Sequence, residues 1–461
     1  MTFNFRQFNR RPAMIHRDTE YSYAWLADQV DAFAKQLATA EVDPGTVVAL
    51  EADFTPQAVA LFFALAAKGC IIVPLMPGLA DRTRLLELAG VEYRLAVPAG
   101  PESIGLNRCA ATEAVHRTAA KRPSGRPSSR HPLYRTLEQR AHPGLVLFSS
   151  GTTGEPKAAV HDLQPLLERF AKPRQAYRAI AFLMFDHIGG LNTMLYILSS
   201  GGCLVMVENR RPETVLKAVE KHQAELLPVS PTFMNMILLS QADRDYNLDS
   251  LQLVSYGTEP MPASTLHRFH QRFPQVRLQQ TYGLSEIGIP ATRSKASDSL
   301  WLSIGGSGVE TRVVDNILQV RSRTAMLGYL NAPSPFTEDG WLDTGDAVEV
   351  DGEYIRFLGR EDDRINVGGE KVYPTEVEDT LLRLPEVADA RVYGEKNLLT
   401  GAIVVADVQP TPEGAALEPG ELRKRIRNHC QKALSRYKVP GRINLVESIA
   451  RTERGKKQRS R

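Results

Sequence analysis

The sequence predicts an α/β fold in which a large N-terminal domain of stacked βα sheets, with a β-rich segment, precedes a small α+β C-terminal domain. Length is the first observation, because 461 residues exceed one ordinary core and imply two or three domains. Helix-like and strand-like segments then alternate over residues 20–140 and again up to residue 290. Short strands and turns follow residue 301, and a tail of about one hundred residues, a usual size for a small domain, follows Arg360.

Hydrophobic periodicity gives the first elements. Apolar residues three and four apart predict an amphipathic helix over Tyr23–Thr39, and a short apolar run predicts a strand at Val47–Leu50. A second helix is predicted over Pro56–Lys68 and a second strand over Cys70–Leu75. Helices that alternate with apolar strands are typical of a mostly parallel sheet covered by helices.

The later segments are assigned in the same way. Residues 117–140 are basic and contain prolines and serines, so we interpret them as a solvated loop or linker rather than a nucleic-acid arm. In the β-rich segment, the candidate strands are Val313–Val314, Leu318–Val320 and Val348–Val350. In the tail, the expected helices and strands are Thr375–Leu384, Ala390–Val392, Ala402–Val408 and Glu421–Leu434.

Composition narrows the class of protein. The apolar fraction of 43% and the charged fraction of 24% are globular values, and a net charge of +3 does not indicate a nucleic-acid partner. The N-terminal residues lack the apolar region of a signal peptide, and no apolar run is long enough to span a membrane. Four scattered cysteines argue against a zinc site or a disulfide framework and predict a cytoplasmic location; they are Cys70, Cys109, Cys203 and Cys430.

A polar, glycine-rich segment at Phe148–Lys157 is the most informative part of the chain. It follows the apolar run Leu145–Leu147, and glycines, hydroxyls and a lysine after a buried strand are a common way to hold a phosphate. It is not a Walker A loop, because its lysine follows a proline and precedes Ala158. We therefore predict a phosphate-binding loop of another kind, formed by Ser149, Ser150, Gly151, Thr152, Thr153, Gly154 and Lys157.

Further motifs follow this loop in a fixed order. They are Phe185–Gly190, Thr281–Glu286, Trp341–Asp346, Gly359–Arg364, Gly368–Val372 and Arg451–Arg459. Together with the loop they resemble the adenylate-forming superfamily, which includes acyl-CoA synthetases, stand-alone adenylation domains of peptide synthetases and beetle luciferases. The resemblance extends from Tyr21 to Arg459. Each motif alone is a weak signal, whereas the set in this order is specific.

The resemblance implies that ATP and Mg²⁺ bind to the N-terminal domain. The loop would surround the β- and γ-phosphates, and Lys157 would neutralise the departing pyrophosphate. Tyr282 would stack on adenine and Glu286 would hold Mg²⁺, although Tyr282 taken alone is more typical of a core aromatic. Asp346 and Arg360 match the pair that binds ribose; without that match, Asp346 would be read as a turn cap. The residues implied for the rest of this site are Gly257, Thr258, Glu259, Gly283 and Ser285.

The resemblance places the catalytic lysine and the moving parts near the C-terminus. Lys456 matches the lysine that bridges the substrate carboxylate and the α-phosphate, although a slip of one residue would assign this role to the next lysine. Asp362 lies at the hinge, which gives predicted domains at residues 1–361 and 362–461, the smaller one mobile. Gly368–Gly369 would line the tunnel of a pantetheine thiol, and such a pair equally favours a type I′ hairpin turn.

An acyl pocket is expected beside the nucleotide. His187 begins a His-x-x-Gly pattern that in acyl-CoA ligases separates the acid from the nucleotide, so we assign it a catalytic role with Lys456 and Glu286. In amino-acid-activating relatives an aspartate at the position of Ile188 holds the substrate ammonium, so an apolar residue there argues against an α-amino acid. A slip of register would bring Asp186 to that position. The residues predicted to line the pocket are His187, Ile188, Gly189, Ser230, Tyr256 and Ile287.

The implied activity is a two-step ligation. A carboxylate attacks the α-phosphate of MgATP to give an acyl-adenylate and pyrophosphate, and a thiol then displaces AMP to give a thioester. The cofactors implied are ATP and Mg²⁺; the partners are a small acid, medium acyl or aryl, and CoA or the phosphopantetheine of a separate carrier protein. Two alternatives stay open: a stand-alone enzyme that adenylates amino or aryl acids for a carrier protein, and a nucleotide-binding homologue without turnover.

Overall fold

Helices and strands alternate along most of the chain, as the sequence predicts. The computed structural model describes residues 3–97, 115–117, 130–150 and 155–449. In that part of the chain, the α-helices are α1 (Tyr23–Thr39), α2 (Pro56–Ala67), α3 (Arg82–Leu88), α4 (Pro132–Arg140), α5 (Leu163–Glu168), α6 (Ile188–Ser199), α7 (Pro212–His222), α8 (Pro231–Ser240), α9 (Ala263–Arg272), α10 (Pro374–Leu381), α11 (Pro412–Ala415) and α12 (Pro419–Ala433). None of these helices combines the length and the apolar character that crossing a membrane requires.

The first sheet is parallel apart from one edge strand. Its strands are β1 (Pro12–His16), β2 (Thr19–Ser22), β9 (Arg178–Ala181), β10 (Cys203–Met206), β11 (Leu226–Val229), β12 (Leu253–Tyr256) and β13 (Arg277–Gln280). They lie in the order β13–β12–β11–β9–β10–β1–β2, with β2 antiparallel to β1. Because parallel strands end at the same edge, the loops that follow β9, β11, β12 and β13 meet there.

The second sheet combines parallel strands with an antiparallel hairpin. Its strands are β3 (Val47–Glu51), β4 (Ile71–Leu75), β5 (Tyr93–Ala96), β6 (Val115–Arg117), β7 (Gly144–Ser150), β8 (Pro156–Asp162) and β18 (Gly328–Tyr329). They lie in the order β18–β8–β7–β4–β3–β5–β6. Every residue of β3 and β4 is buried, which explains why both read as continuous apolar runs in the sequence.

The main core lies between these two sheets. One cluster of buried residues combines Met14 and Leu204 of the first sheet with Val48 and Ile72 of the second, and the apolar faces of α1, α2 and α6 fill it. Helix α2 is apolar on nearly every side because it is sandwiched there. Its start is fixed by Thr55, whose hydroxyl accepts the N–H of the third residue of the helix at 3.1 Å.

The β-rich segment forms a third, antiparallel sheet. Its strands are β14 (Ala291–Ser294), β15 (Leu302–Gly305), β16 (Val309–Val314), β17 (Ile317–Ser322), β19 (Leu342–Asp351) and β20 (Tyr354–Arg360). They lie in the order β14–β15–β20–β19–β17–β16. The prediction of a turn-rich β segment after residue 301 is therefore confirmed.

The C-terminal residues form a small unit with a core of its own. Its strands are β21 (Ile365–Val367), β22 (Glu370–Val372), β23 (Val387–Asn397), β24 (Gly401–Pro410) and β25 (Arg442–Leu445). Buried residues of α10 and α12 pack on the sheet β23–β24–β25. The predicted helices and strands of the tail are confirmed, with bounds that differ by a few residues.

The prediction for residues 117–140 is wrong in part, because Pro132–Arg140 forms helix α4. Tyr134 and Leu137 are buried beneath the second sheet, and Arg130 forms an ion pair with Glu138 at 2.7 Å. Two buried side chains one turn apart anchor a helix whose other positions are polar. The high content of charge and proline concealed this short apolar face.

Candidate active site

A cavity of about 1540 Å³ opens where the loops after the parallel strands of the first sheet meet. Helix α6, the hairpin β7–β8, the third sheet and the small C-terminal unit also contribute to its wall. Motifs that are far apart in the sequence therefore line one space. The predicted site residues on its wall are Ser149, Lys157, His187, Ile188, Gly189, Gly257, Thr258, Glu259, Tyr282, Gly283, Ser285, Glu286, Asp346, Arg360 and Asp362.

The predicted phosphate loop connects the two strands of a β-hairpin. Ser149 of β7 pairs with Lys157 of β8, so a hydroxyl and an ammonium group stand side by side at the cavity. Asn331 fixes the start of β8: its amide donates to the carbonyl of Pro156 at 2.8 Å and accepts the N–H of Ala158 at 3.0 Å. Ser150 is the last residue of β7, and Gly151, Thr152, Thr153 and Gly154 lie outside the described residues.

A tight loop after β13 presents Glu286 to the cavity. Leu284 and Gly288 exchange two backbone hydrogen bonds across it, of 3.2 and 2.9 Å, and Met326 donates its N–H to the carbonyl of Glu286 at 2.7 Å. Gly288 has a φ of +78°, a left-handed conformation that suits glycine. Backbone hydrogen bonds therefore set the position of the Glu286 carboxylate.

His161 supports this loop from the core. Its side chain is fully buried, and Nε2 lies 2.5 Å from the carbonyl oxygen of Ser285, which can only accept, so the ring donates from Nε2. Burial lowers the pKa of His161, against a smaller opposing effect of its hydrogen bond and of Glu286. A neutral imidazole thus holds the loop.

Tyr329 of β18 lies between Glu286 and Lys157. Its hydroxyl donates to Oε1 of Glu286, and Nζ of Lys157 lies 5.5 Å from the centre of its ring. Burial, and then the charge of Glu286, raise the pKa of Tyr329, so the phenol stays protonated and able to donate. One aromatic residue thereby fixes the spacing between the carboxylate and the ammonium group.

The carboxylate of Glu286, beside the predicted phosphate loop, suits a Mg²⁺ ion that binds together with a nucleotide. Proteins usually hold Mg²⁺ through one or two carboxylates, with phosphate oxygens and water completing its coordination. In the described ranges, no group of three or more His, Cys, Asp or Glu side chains forms an all-protein metal site. A lone carboxylate next to a phosphate loop suits the first arrangement, and Glu286 would be the ligand.

A second cluster links the third sheet to the cavity. Asp346 and Arg360 are directly opposite each other in β19 and β20, and 3.7 Å separates Oδ1 from Nε. Tyr282 donates its hydroxyl to Oδ2 of Asp346 at 2.8 Å, and its ring stacks on Phe357 with centroids 4.7 Å apart. Burial raises the pKa of Asp346, while Arg360 and the Tyr282 hydroxyl oppose that rise. Because Phe357 covers one face of Tyr282, only the opposite face is left for a purine.

The turn after β12 has a backbone conformation that few residue types can adopt. A Cβ on Gly257 would lie 2.5 Å from Oγ1 of Thr281, so only glycine fits there. Thr258 has a φ of +73°, which is rare for a β-branched residue. Glu259 accepts the N–H of Thr232 at 2.7 Å at the start of α8, where a negative charge is favourable. The Glu259 carboxylate thus already has a hydrogen-bond partner within the protein, as expected of a residue that forms the cavity wall.

His187 and the two residues after it start helix α6 at the cavity. Nδ1 of His187 accepts the N–H of Gly189 at 3.1 Å, so the neutral ring carries its proton on Nε2. A Cβ on Gly189 would lie 2.9 Å from a methyl group of Leu183, so the Leu183 side chain would have to shift to admit it. Ile188 belongs to the cavity wall, whereas Asp186 is 5% exposed and does not. The structure thus has an apolar side chain, rather than the Asp186 carboxylate, at this part of the wall, and the role of Ile188 toward the acid stays a prediction.

Three residues predicted for the acyl pocket lie behind its wall. Ser230 caps α8 by accepting the N–H of Phe233 at 3.2 Å, and Ile287 is buried in the core of the third sheet. Tyr256 is buried beneath α8 and α9, because successive strand residues face opposite sides and its neighbour Ser255 faces the cavity. The prediction for Ser230, Tyr256 and Ile287 differs from the structure in this respect.

The predicted hinge and thiol tunnel lie just beyond β20. Asp362 is exposed within the 3₁₀ helix Glu361–Asp363, which has no buried residue. Gly368 and Gly369 form the two-residue turn between β21 and β22, with φ values of +61° and +91°. These values fit the type I′ turn, and neither glycine belongs to the cavity wall. Lys456 lies outside the described residues.

Sequence reasoning missed several supporting residues. Tyr329 and Asn331 lie in a turn-rich stretch, and Phe357 lies in a strand. Nothing in the local pattern connects Tyr329 to Glu286, because 43 residues separate them. His161 lies within β8, directly after the apolar residues 158–160, and only the fold reveals that it reaches Ser285.

Comparison with known proteins identifies the family. A family model described as AMP-binding enzyme matches residues 2–330, and a model of the AMP-binding enzyme C-terminal domain matches residues 376–456. The chain belongs to the AMP-binding enzyme family. This AMP-binding enzyme is 27% identical to indoleacetate–CoA ligase of Aromatoleum aromaticum, over 97% of the present chain and 93% of the relative. Feruloyl-CoA synthase of an Amycolatopsis species is also 27% identical, over 96% and 94%.

A solved structure shares the architecture. The amide bond synthetase McbA from Marinactinospora thermotolerans is similar to this AMP-binding enzyme with a TM-score of 0.79 and 25% identity, covering 98% of the present chain and 96% of the other. The predictions of the adenylate-forming superfamily, of its α/β fold with large and small parts, and of an AMP-forming acid–thiol ligase similar to acyl-CoA synthetases are confirmed at the level of the family.

Proposed function

We propose that this AMP-binding enzyme activates a small carboxylic acid with ATP and transfers the acyl group to the thiol of CoA. The observation that supports this most is the convergence of a lysine, two carboxylates and a histidine on one cavity: Lys157, Glu286, Asp346 and His187. In this proposal, Lys157 binds phosphate and Glu286 binds the metal ion. Asp346 binds the ribose, and His187 lies beside the acid. Two relatives are named as CoA ligases of aryl-substituted acids, indoleacetate and ferulate.

The first step forms an acyl-adenylate. A carboxylate oxygen of the substrate attacks the α-phosphorus, the bond from that phosphorus to the bridging oxygen breaks, and pyrophosphate leaves. Lys157 and the phosphate loop hold the pyrophosphate, and Asp346 with Arg360 binds the ribose hydroxyls. Mg²⁺, when bound at Glu286, would neutralise charge on the phosphate oxygens. In this proposal, Lys456 stabilises the negative charge that develops between carboxylate and α-phosphate.

The second step forms the thioester. The thiol sulfur attacks the acyl carbonyl carbon, the bond from that carbon to AMP breaks, and the thiol proton is released. We propose that residues 362–461 rotate against residues 1–361 between the steps, with Asp362 as the hinge. The exposure of the short helix around Asp362 supports this proposal. A Cβ on Gly368 or Gly369 would meet no described atom within 4 Å, so the hairpin tip has room beside a thin arm.

The substrate class that the pocket supports is a medium-length or aryl acid. The wall near His187 is formed by Ile188, whose side chain offers no charge to an ammonium group. An α-amino acid would therefore leave its ammonium unpaired, which is costly in a partly enclosed site. Aryl acids like those of the named relatives carry no such charge.

Pyrophosphate–ATP exchange across a panel of acids tests the proposal. Aryl and medium-chain acids should support exchange, and α-amino acids should not. Thiol consumption is then followed with CoA and with a phosphopantetheinylated carrier protein, which separates the two acceptors. If no acid in the panel supports exchange, the protein is a nucleotide-binding homologue without turnover and the proposal fails.

An amine is a second candidate acceptor. The similarity to an amide bond synthetase, at 25% identity over 98% of the chain, favours it. Nitrogen would attack the same carbonyl carbon, AMP would leave, and the ammonium proton would be released. Formation of an amide from a panel of amines without CoA would support this acceptor, and thioester formation that outcompetes it at equal concentrations would exclude it as the main reaction.

The cytoplasm stays our proposed location. Cys70, Cys203 and Cys430 are buried free thiols. Burial raises the pKa of Cys430 to about 11, which keeps it a thiol at neutral pH. Buried, unreactive thiols of this kind are ordinary in a reducing compartment.

A further inference from the structure

Helix α6 runs along one wall of the cavity, so positions on it measure distance along that wall. Gly189, Asn192, Thr193 and Tyr196 all line the cavity, because residues three, four and seven apart share one face of a helix. His187, at the start of α6, lies where the acid would be activated. Tyr196 is nine residues further on, which corresponds to roughly 13 Å along the helix. We call the region around Tyr196 the far end of the cavity.

Two arginines from other elements reach the far end. Arg174, before β9, and Arg277, at the start of β13, both line the cavity. Burial raises the pKa of Tyr196, and the charges of Arg174 and Arg277 both lower it, which indicates that both guanidinium groups lie near the phenol. The guanidinium of Arg174 lies 5.7 Å from the ring centre of Tyr196 and 5.6 Å from that of Phe170, and donates to the carbonyl of Arg169 at 3.3 Å.

Arg169 adds a third positive charge at the same place. It lines the cavity after the end of α5, and its guanidinium lies 5.6 Å from the ring centre of Phe170. Burial, and then the charge of Arg174, lower the pKa of Arg169 to about 10, at which it is still protonated at neutral pH. The lowering means that the site gives this cation less stabilisation than water does.

These arginines differ from the others on the cavity wall. Arg360 and Arg364 each have a carboxylate partner, Asp346 and Glu361 respectively. Within the described ranges of the chain, Arg169, Arg174 and Arg277 form no ion pair with a carboxylate. Arg169 and Arg174 both lie over the ring of Phe170, so their like charges repel each other, and a bound anion would relieve that repulsion.

We propose that Arg174 and Arg277, beside Tyr196, bind a second anionic group of the acid substrate, so that the substrate class is acids with a carboxylate at both ends. This inference rests on the proposed function, because it takes the first carboxylate to be adenylated near His187. Guanidinium groups suit this task, since their planar donors match both oxygens of a carboxylate. The separation of roughly 13 Å along α6 favours a diacid of medium chain length over a short one.

The half-ester of a diacid is the decisive comparison substrate. It has nearly the same length and shape as the diacid but lacks the second charge. We expect pyrophosphate–ATP exchange to show a KM for a medium-chain α,ω-dicarboxylic acid that is roughly ten- to a hundredfold below that of its monomethyl ester, since a hydrogen-bonded charge pair contributes that much. Equal KM values for diacid and half-ester would overturn the proposal.

Two variants test the residues. Arg174→Gln and Arg277→Gln should each raise the KM for the diacid about tenfold and leave the KM for the half-ester within about twofold. Arg244→Gln is the matched control, because Arg244 is exposed on the first domain and does not line the cavity. A parallel rise for diacid and half-ester in the first two variants would indicate a structural role and would count against the proposal.

The phosphates of CoA are the other anions that these arginines would recognise. The exchange assay contains no CoA, so it reports on the acid alone. If Arg174→Gln and Arg277→Gln raise the KM for CoA in thioester formation and leave exchange with the diacid unchanged, the site belongs to the thiol substrate and the proposal is wrong.

A binding measurement separates this inference from the proposed function. Calorimetric titration with the diacid and with its half-ester, without ATP, requires no turnover. Tighter binding of the diacid that is lost in Arg174→Gln would support the anion site even if no acid supported exchange. Equal binding of both compounds would overturn the inference even if exchange with other acids were vigorous.

Discussion

The two ends of the cavity differ in whether their charged side chains have partners within the protein. At the end where we propose that the nucleotide binds, called the nucleotide end, Glu286 is hydrogen-bonded to Tyr329, and Asp346 is held by Tyr282 and Arg360. At the far end, Arg174 lies over the ring of Tyr196 and Arg277 lines the cavity, and neither has a carboxylate partner among the described residues. The nucleotide end is therefore organised before any ligand arrives, whereas Arg174 and Arg277 at the far end are exposed to solvent and have no carboxylate partner in the described part of the chain.

This difference separates two kinds of recognition. A carboxylate that the protein already holds in place favours a ligand through geometry, because little reorganisation is needed on binding. An uncompensated cation favours a ligand through its charge, and selects among acids that otherwise fit equally well. ATP binding should thus depend on the fixed clusters around Glu286 and Asp346, and the choice of acid on the arginines.

Removal of the proposed catalytic lysine should have the largest effect. We expect Lys456→Ala to reduce adenylate formation by about a hundred- to a thousandfold, the usual loss when one group that stabilises transition-state charge is removed. Thioester formation from a supplied acyl-adenylate should be spared, because the lysine acts only in the first step. Exchange and single-turnover thioester assays measure the two steps separately.

Lys457→Ala is the matched control, since it removes the same charge from the adjacent position. It should leave both steps nearly unchanged. The reverse pattern, with loss in Lys457→Ala alone, would mean that the register differs by one residue. Equal losses in both steps for Lys456→Ala would contradict a role confined to adenylation.

Substitution of Asp346, which we propose binds the ribose, should give the next largest effect. Asp346→Asn keeps an acceptor for Tyr282 but removes the charge near Arg360, and we expect the KM for ATP to rise roughly ten- to a hundredfold. Asp351→Asn removes a charge from the exposed end of the same strand, where Asp351 pairs with Lys295, and serves as the control. An unchanged KM for ATP in Asp346→Asn would exclude the ribose role.

The order of the motifs and the apolar periodicity allowed most of the fold to be predicted. Helix α1 begins and ends at the predicted residues, and the buried strands β3 and β4 were visible as apolar runs. Helix α4 was missed because only two of its side chains are buried, within a basic stretch. Periodicity detects a wide apolar stripe well and a narrow one poorly.

The site was only partly predictable for a different reason. Motifs identify residues that act on a shared ligand, but not those that support them from distant parts of the chain, such as Tyr329 beneath Glu286. Nor could the sequence tell which of Ser255 and Tyr256 faces the cavity, because that depends on how the strand is seated. The arginines of the far end have no motif, and they are distinguished by their lack of a carboxylate partner within the described part of the chain.

The hairpin tip of the small unit offers a test of the proposed thiol tunnel. Gly368 and Gly352 both occupy hairpin turns with a φ of +61°, and a Cβ added to either would meet open space. A valine should therefore strain each turn alike, by about 1–2 kcal/mol. Only Gly368→Val should slow thioester formation, by about tenfold, because misplacing a reacting arm costs at least that much. Equal rates of thioester formation in the two variants would contradict the tunnel.

The smallest expected effect is on the free energy of unfolding of the protein, through the buried residue His161. Burial lowers the pKa of His161 in the folded protein, so the unfolded chain binds a proton near its ordinary pKa of about 6.5 while the fold does not. Titration of His161 should therefore not change the free energy of unfolding above about pH 6.5. Below that pH, it should lower the free energy of unfolding by up to about 1.4 kcal/mol per pH unit. His161→Gln keeps a donor for the Ser285 carbonyl but cannot titrate. Its thermal midpoint should fall less than that of the wild type between pH 7 and 5.5, and parallel curves would show that His161 is not the group that titrates.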